Sequence, residues 1–219
     1  MLYSIHVGYL LKNSSLEDML LEDVPIKLSQ HFKKRLLSDL EGYWETIHEL
    51  RFYNILHSRL GYEHQKILNE CPSVRRKTID FAIDEGERIF FEVKAVKPED
   101  YETAKEGGCI GTDELKLERC YKRAMEKFNK QSVNIVVVAD GDTVKPPLFI
   151  NAIFNIRDVP DTFFKRPEYN HISAVIILAG NCYESLFDYR VWFNELAIKQ
   201  IPISVRKKLL NVATPHINF

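Results

Sequence analysis

A chain of 219 residues with 45% apolar and 11% aromatic side chains can bury a real core, as one domain or one domain with appendages. A formal charge of −1 excludes a histone-like, wholly basic binder but leaves room for a local positive groove. No apolar run has the length of a membrane span, and the start MLYSIHVGYLLKN carries neither a basic opening nor a long apolar core, so a cytoplasmic protein without signal peptide or membrane partner is expected.

Residues 1–40 read as an N-terminal helical extension, and 41–219 as the main domain with a C-terminal elaboration. Ser14-x-x-Glu17 has the pattern of a capping box opening a helix to about residue 22. Pro25 interrupts, and a second helix is expected over 29–40. It carries Lys33, Lys34 and Arg35, which suit a solvated face, with a phosphate contact as the alternative. Residues 41–60 form a third helix, ended by Gly61. On its wheel Glu49 falls inside an apolar stripe of Phe52, Tyr53, Leu56 and Leu60, with Glu45 one turn earlier. A carboxylate there must be paired with an Arg, cap a loop or bind a metal. His48 lies off the stripe and reads as ordinary. Residues 62–68 are expected as the first strand, broken at Pro72 and Ser73. Arg75, Arg76 and Lys77 follow, a run that suits a polyanionic substrate or a solvated loop.

The stretch 78–96 alternates on both sides of a turn. Ile79, Phe81 and Ile83 precede Asp84-Glu85-Gly86-Glu87; Ile89, Phe91 and Val93 follow it. That is a β-hairpin with one face buried and a Gly available for positive φ. A three-residue loop, 85–87, sets Ile83 against Ile89, Phe81 against Phe91 and Ile79 against Val93. It also sets Asp80 against Glu92, with Lys94 next on the same side. Facing side chains in such a pair are about 5 Å apart, so two carboxylates need a cation between them or a proton. A hard divalent ion is the usual answer.

Asp80, eleven intervening residues and then Glu92-Val93-Lys94 resemble the active-site signature of the PD-(D/E)XK nuclease superfamily, with Ile79 in place of the usual Pro. The order of a helix with an acid, a hairpin, a helix and a further apolar strand, over roughly 41–140, also resembles that superfamily's core. The resemblance implies an α/β fold, a central mixed sheet flanked by helices, restriction-endonuclease-like. It implies Mg²⁺ or Mn²⁺ held by Asp80, Glu92 and the backbone carbonyl of Val93, with Glu49 as a further ligand or the group that orients a metal-bound water. Lys94 would position or activate the attacking water, or stabilise charge on the phosphate. The expected activity is phosphodiester hydrolysis, DNA favoured over RNA as partner, and a homodimer is compatible with it. The alternatives are a non-catalytic nucleic-acid-binding or assembly protein on the same fold, and an unrelated α/β enzyme.

Downstream, 98–112 reads as a loop with Gly107, Gly108 and Gly111, without the G-K-[ST] of a phosphate cradle. Residues 113–130 form a helix buried through Leu117, Tyr121, Ala124 and Phe128. Superfamily members often place a basic or amide residue of this helix near the site, but none of Lys116, Arg119, Lys122, Arg123, Lys127 and Lys130 matches a motif tightly enough to single out. Residues 133–139 and 172–178 are continuous apolar strands of the doubly buried kind. A short helix is expected over 149–154, an edge strand over 189–193, and loop and short helix from 194, with Arg206, Lys207 and Lys208 as a basic patch. Cys71, Cys109, Cys120 and Cys182 are widely spaced without a Cys/His cluster, which points to reduced thiols rather than structural zinc.

Overall fold

The alternating and continuous apolar runs become six strands: β1 (Ile67–Pro72), β2 (Thr78–Asp84), β3 (Arg88–Ala95), β4 (Val133–Asp140), β5 (Ala174–Ala179) and β6 (Asp188–Phe193). Among the described residues five helices accompany them: α1 (Ser14–Leu21), α2 (Ile26–Leu36), α3 (Leu40–Asn54), α4 (Gly111–Met125) and α5 (Ile203–Val212). The structure, a computed structural model, describes residues 14–38, 40–72, 77–95, 111–140, 163–179 and 188–212. The helix expected at 149–154, residues 98–110 of the loop expected over 98–112, Arg75, Arg76, Cys109 and Cys182 lie outside them, whereas 111 and 112 already belong to α4.

The strands form one mixed sheet in sequence order, with helices on both faces: an α/β fold. β1, β2 and β3 make an antiparallel meander; β3, β4 and β5 run parallel; β6 closes the far edge antiparallel to β5. The central parallel strands β4 and β5 are covered on both sides, and Val133 through Ala139 are buried without a break. One core unites Phe81, Phe91, Val137 and Ile176 with side chains of α1, α2, α3 and α5. The other unites Ala82, Val136 and Val175 with Leu117, Cys120 and Tyr121 of α4 and with Phe163 and Tyr169.

Residues before Leu40 share the first core: Leu16, Leu20, Phe32 and Leu36 belong to it. This makes α3 a helix buried on nearly all sides, not only along the stripe of Phe52, Tyr53 and Leu56. His48, off that stripe, is buried as well, its ring 6.5 Å from that of Trp44. After Asn54 the helix widens into a π turn, Ile55–Arg59, and closes with Tyr62 N–H donating to Leu56 O at 3.0 Å and Gly61 at φ 71°.

Several boundaries move. α2 runs over Ile26–Leu36 rather than 29–40, because the Pro25 carbonyl already accepts the N–H of Ser29 at 2.8 Å. β1 begins at Ile67 rather than 62, because His64–Lys66 forms a 3-10 turn, and it reaches Pro72, whose missing N–H is tolerated at a strand end. α4 stops at Met125, five residues short of the expected end, and the chain turns there. Among the described residues no helix is long and apolar enough to cross a membrane.

Candidate active site at the open end of the hairpin

Near its turn the β2–β3 hairpin has the expected register. Asp84 pairs with Arg88, Ile83 with Ile89, Ala82 with Phe90 and Phe81 with Phe91, around a three-residue loop with Gly86 at φ 86°. There the paired register ends. Val93 N–H donates to Asp80 Oδ2 at 2.8 Å, and Asp80 N–H donates to Glu92 Oε2 at 3.4 Å. Each carboxylate has reached across to the other strand's backbone.

The neighbouring strand departs at the same level. Glu70, the residue of β1 that the register would set opposite Asp80, has φ 49°, the sole positive φ outside glycine among the described residues. Asn69 bridges the gap, its side-chain amide donating to the Asp80 carbonyl at 3.1 Å. Past this interruption Ile79 packs in the second core with Cys71, whereas Phe81 and Val93 stay in the first. The expected apolar pair Ile79–Val93 therefore does not form: the break at Glu70 and Asp80 sends the two side chains to opposite sides of the sheet.

Around the break, acids and bases alternate. Glu92 is fully buried, and its Oε1 meets two ammonium groups, Lys94 Nζ and Lys127 Nζ. Lys94 also donates to the Val93 carbonyl at 3.2 Å, and Lys127 lies 3.6 Å from Asp80 Oδ1. Burial pushes the Glu92 carboxyl upward and the Asp80 charge adds to it, while Lys94 and Lys127 pull it back. Burial alone would lower Lys94; Glu92 and Asp80 outweigh it and hold the ammonium above its ordinary range.

Glu49 faces this site from α3, buried, as its place in the apolar stripe required. It is held there by Arg35 of α2, whose guanidinium grips both carboxylate oxygens, Nη2 to Oε1 at 2.6 Å. Burial raises its pKa to about 7; the Arg35 hydrogen bond opposes the shift and the Asp80 charge adds to it. Glu49, half-buried Glu45, Asp80, Lys94 and Lys127 line a common cavity of about 260 Å³. Asp80, Glu92, Val93, Lys94 and Glu49 thus come together as the sequence led one to expect.

Sequence reasoning missed Arg35, Lys127 and Glu70. Arg35 sits in a run whose other members, Lys33 and Lys34, are indeed exposed. Lys127 lies beyond the end of α4, off the helix that the sequence pattern extends to 130. Three further basic residues singled out from the sequence pair away from the site: Lys77 with Glu126 at 2.5 Å, Arg206 with Glu195 at 3.2 Å and Lys208 with Glu85 at 3.0 Å.

Among the described residues no three His, Cys, Asp or Glu side chains are gathered as a ready metal cluster. The oxygens a hard cation takes are nevertheless assembled. Lys127 contacts one oxygen of Asp80 and one of Glu92; Lys94 contacts Glu92 and the Val93 carbonyl. Positive charge is thus already seated among two carboxylates and a carbonyl, and this donor set fits Mg²⁺ or Mn²⁺. Comparison with models of protein families, with curated proteins and with solved structures found no match.

Proposed function

We propose that the protein is a metal-dependent nuclease that hydrolyses phosphodiester bonds, DNA in preference to RNA, on a restriction-endonuclease-like sheet. The observation that carries this reading is the opened end of the β2–β3 hairpin, where Asp80 and Glu92 converge beside the Val93 carbonyl and Lys94. Asp80, Glu92 and the Val93 carbonyl would hold the ion. Bound there, Mg²⁺ or Mn²⁺ supplies Lewis acidity and lowers the pKa of water.

The chain's own groups divide the remaining work. Lys94 stays protonated against Glu92 and Asp80, so it offers an N–H to a phosphate oxygen and neutralises charge as it develops. Glu49, with a pKa of about 7, exchanges a proton near neutral pH and orients water at the cavity wall. Arg35 keeps the Glu49 carboxylate pointed into the cavity.

Incubation of the full chain with circular and linear DNA and with RNA, with and without Mg²⁺ or Mn²⁺, tests the reading. Metal-dependent cleavage is expected, and Lys94→Met should lower its rate by about 10²–10³-fold, the usual effect of removing one group that stabilises transition-state charge. Wild-type protein that binds DNA with either metal yet leaves it intact would establish the non-catalytic alternative instead.

A further inference from the structure

Lys127 belongs to a different layer from the carboxylates it touches. Its backbone lies in the turn after α4, fixed by its N–H donating to Ala124 O at 3.0 Å and by the next residue, Phe128, which is buried in the second core. From there the side chain reaches the sheet and places its ammonium against Glu92 Oε1, 3.6 Å from Asp80 Oδ1. Lys94 differs: it is part of β3 itself and is tied to the Val93 carbonyl of its own strand. The Lys127 side chain is 21% exposed, so solvent reaches it, and it can swing away without moving a strand.

A divalent ion would compete with the Lys127 ammonium for those oxygens. A divalent ion between Asp80 and Glu92 would touch an ammonium in the same place, and like charges in contact within a partly buried site repel strongly. Without Lys127, however, two carboxylates side by side would be balanced by Lys94 and by the more distant Arg35 across the cavity.

We infer that Lys127 is a built-in counter-cation of the Asp80–Glu92 pair, which a divalent metal ion displaces, so that metal loading frees the Lys127 ammonium for a phosphate of the nucleic acid. The inference rests on the metal-dependent reading above and adds a regulation to it. The free protein is held in a charge-balanced form, and metal and polyanion reinforce each other's binding, because each removes a competitor of the other.

The test is Mn²⁺ binding by calorimetry on the intact chain without nucleic acid. Lys127→Gln should bind Mn²⁺ about tenfold more tightly than wild type, corresponding to roughly 1.4 kcal/mol, and should melt lower than wild type when metal-free. Lys127→Arg, which keeps the charge, should stay near wild type in both. If Lys127→Gln does not fold, acylation of Lys127 in the wild type, followed by mass spectrometry, gives the same answer. Labelling should rise on adding Mn²⁺ while that of exposed Lys130 stays constant. Equal or weaker Mn²⁺ binding by Lys127→Gln, or Mn²⁺-independent labelling, overturns the inference while leaving the metal site standing if Asp80→Asn still abolishes Mn²⁺ binding. Absence of Mn²⁺ binding in wild type and variants alike removes both.

Discussion

The two ends of the β2–β3 hairpin belong to one alternating sequence pattern and behave oppositely. At the turn end, Phe81, Ile83, Ile89 and Phe91 pair across a regular ladder and are sealed under α3, with Phe52 5.3 Å from Phe91 between ring centres. At the open end, the side chains of Asp80 and Glu92 stand where ladder bonds would be, and bases from two other layers crowd in. One end derives its order from apolar burial. The other derives it from charge, and leaves a cavity. The difference shows how a strand pair can be opened into a charged cavity with its backbone groups still satisfied, here by the carboxylates of Asp80 and Glu92 that line the break.

The largest expected effect is at the closed end. Phe91→Ala should cost about 3–5 kcal/mol in chemical denaturation, the range for truncating a buried Phe; a cost below about 1 kcal/mol would mean that this end is not the anchor. At the open end Asp80→Ala strips the acceptor from Val93 N–H, whereas Asp80→Asn keeps an oxygen for it. The alanine variant should be less stable than the asparagine variant by about 1–3 kcal/mol, the penalty of an orphaned buried donor. Equal stabilities would show the Asp80–Val93 bond to be dispensable.

Charge at the open end also has a pH signature. The folded-state pKa of Glu49 is raised from 4.5 to about 7, mainly by burial. Between those values the folded protein holds a proton that the unfolded chain has released, so stability should fall as pH rises across the window and level off above it. The fall should amount to roughly 1–3 kcal/mol from Glu49, and Glu92, also raised, acts in the same direction. Glu49→Gln should flatten the slope in thermal melts between pH 5 and 8; an unchanged slope would take Glu49 out of the account. The smallest effect concerns Glu70. Glycine at this positive φ relieves backbone strain, and Glu70→Gly should raise stability by roughly 0.5–1 kcal/mol, since the His31–Glu70 pair it gives up, at 3.6 Å, is half exposed and weak.

What could be read from the sequence follows the same division. The closed end was legible because alternation and turn chemistry are local, and Ile83–Ile89 and Phe81–Phe91 fell where expected. The inward position of Glu49 was legible from the wheel. Its partner was not: Arg35 lies on another helix, and its neighbours Lys33 and Lys34 face solvent. Lys127 was hidden by an early helix end at Met125, and Ile79 was misplaced because nothing in an alternating pattern announces a positive φ at Glu70 one strand away.

The order of the sheet has a consequence for how the molecule assembles. Strands β1, β2 and β3 are joined by short connections, whereas β3–β4 and β4–β5 pair only after long crossovers close, at a higher entropic cost. The meander is therefore the part that can zip first, and it brings Asp80 and Glu92 together before α2 and the turn after α4 deliver Arg35 and Lys127. Within the meander the two acids meet with Lys94 of β3 as their counter-charge, so their remaining repulsion would weigh on the refolding rate, and bases that arrive after the barrier would chiefly set how slowly the protein unfolds.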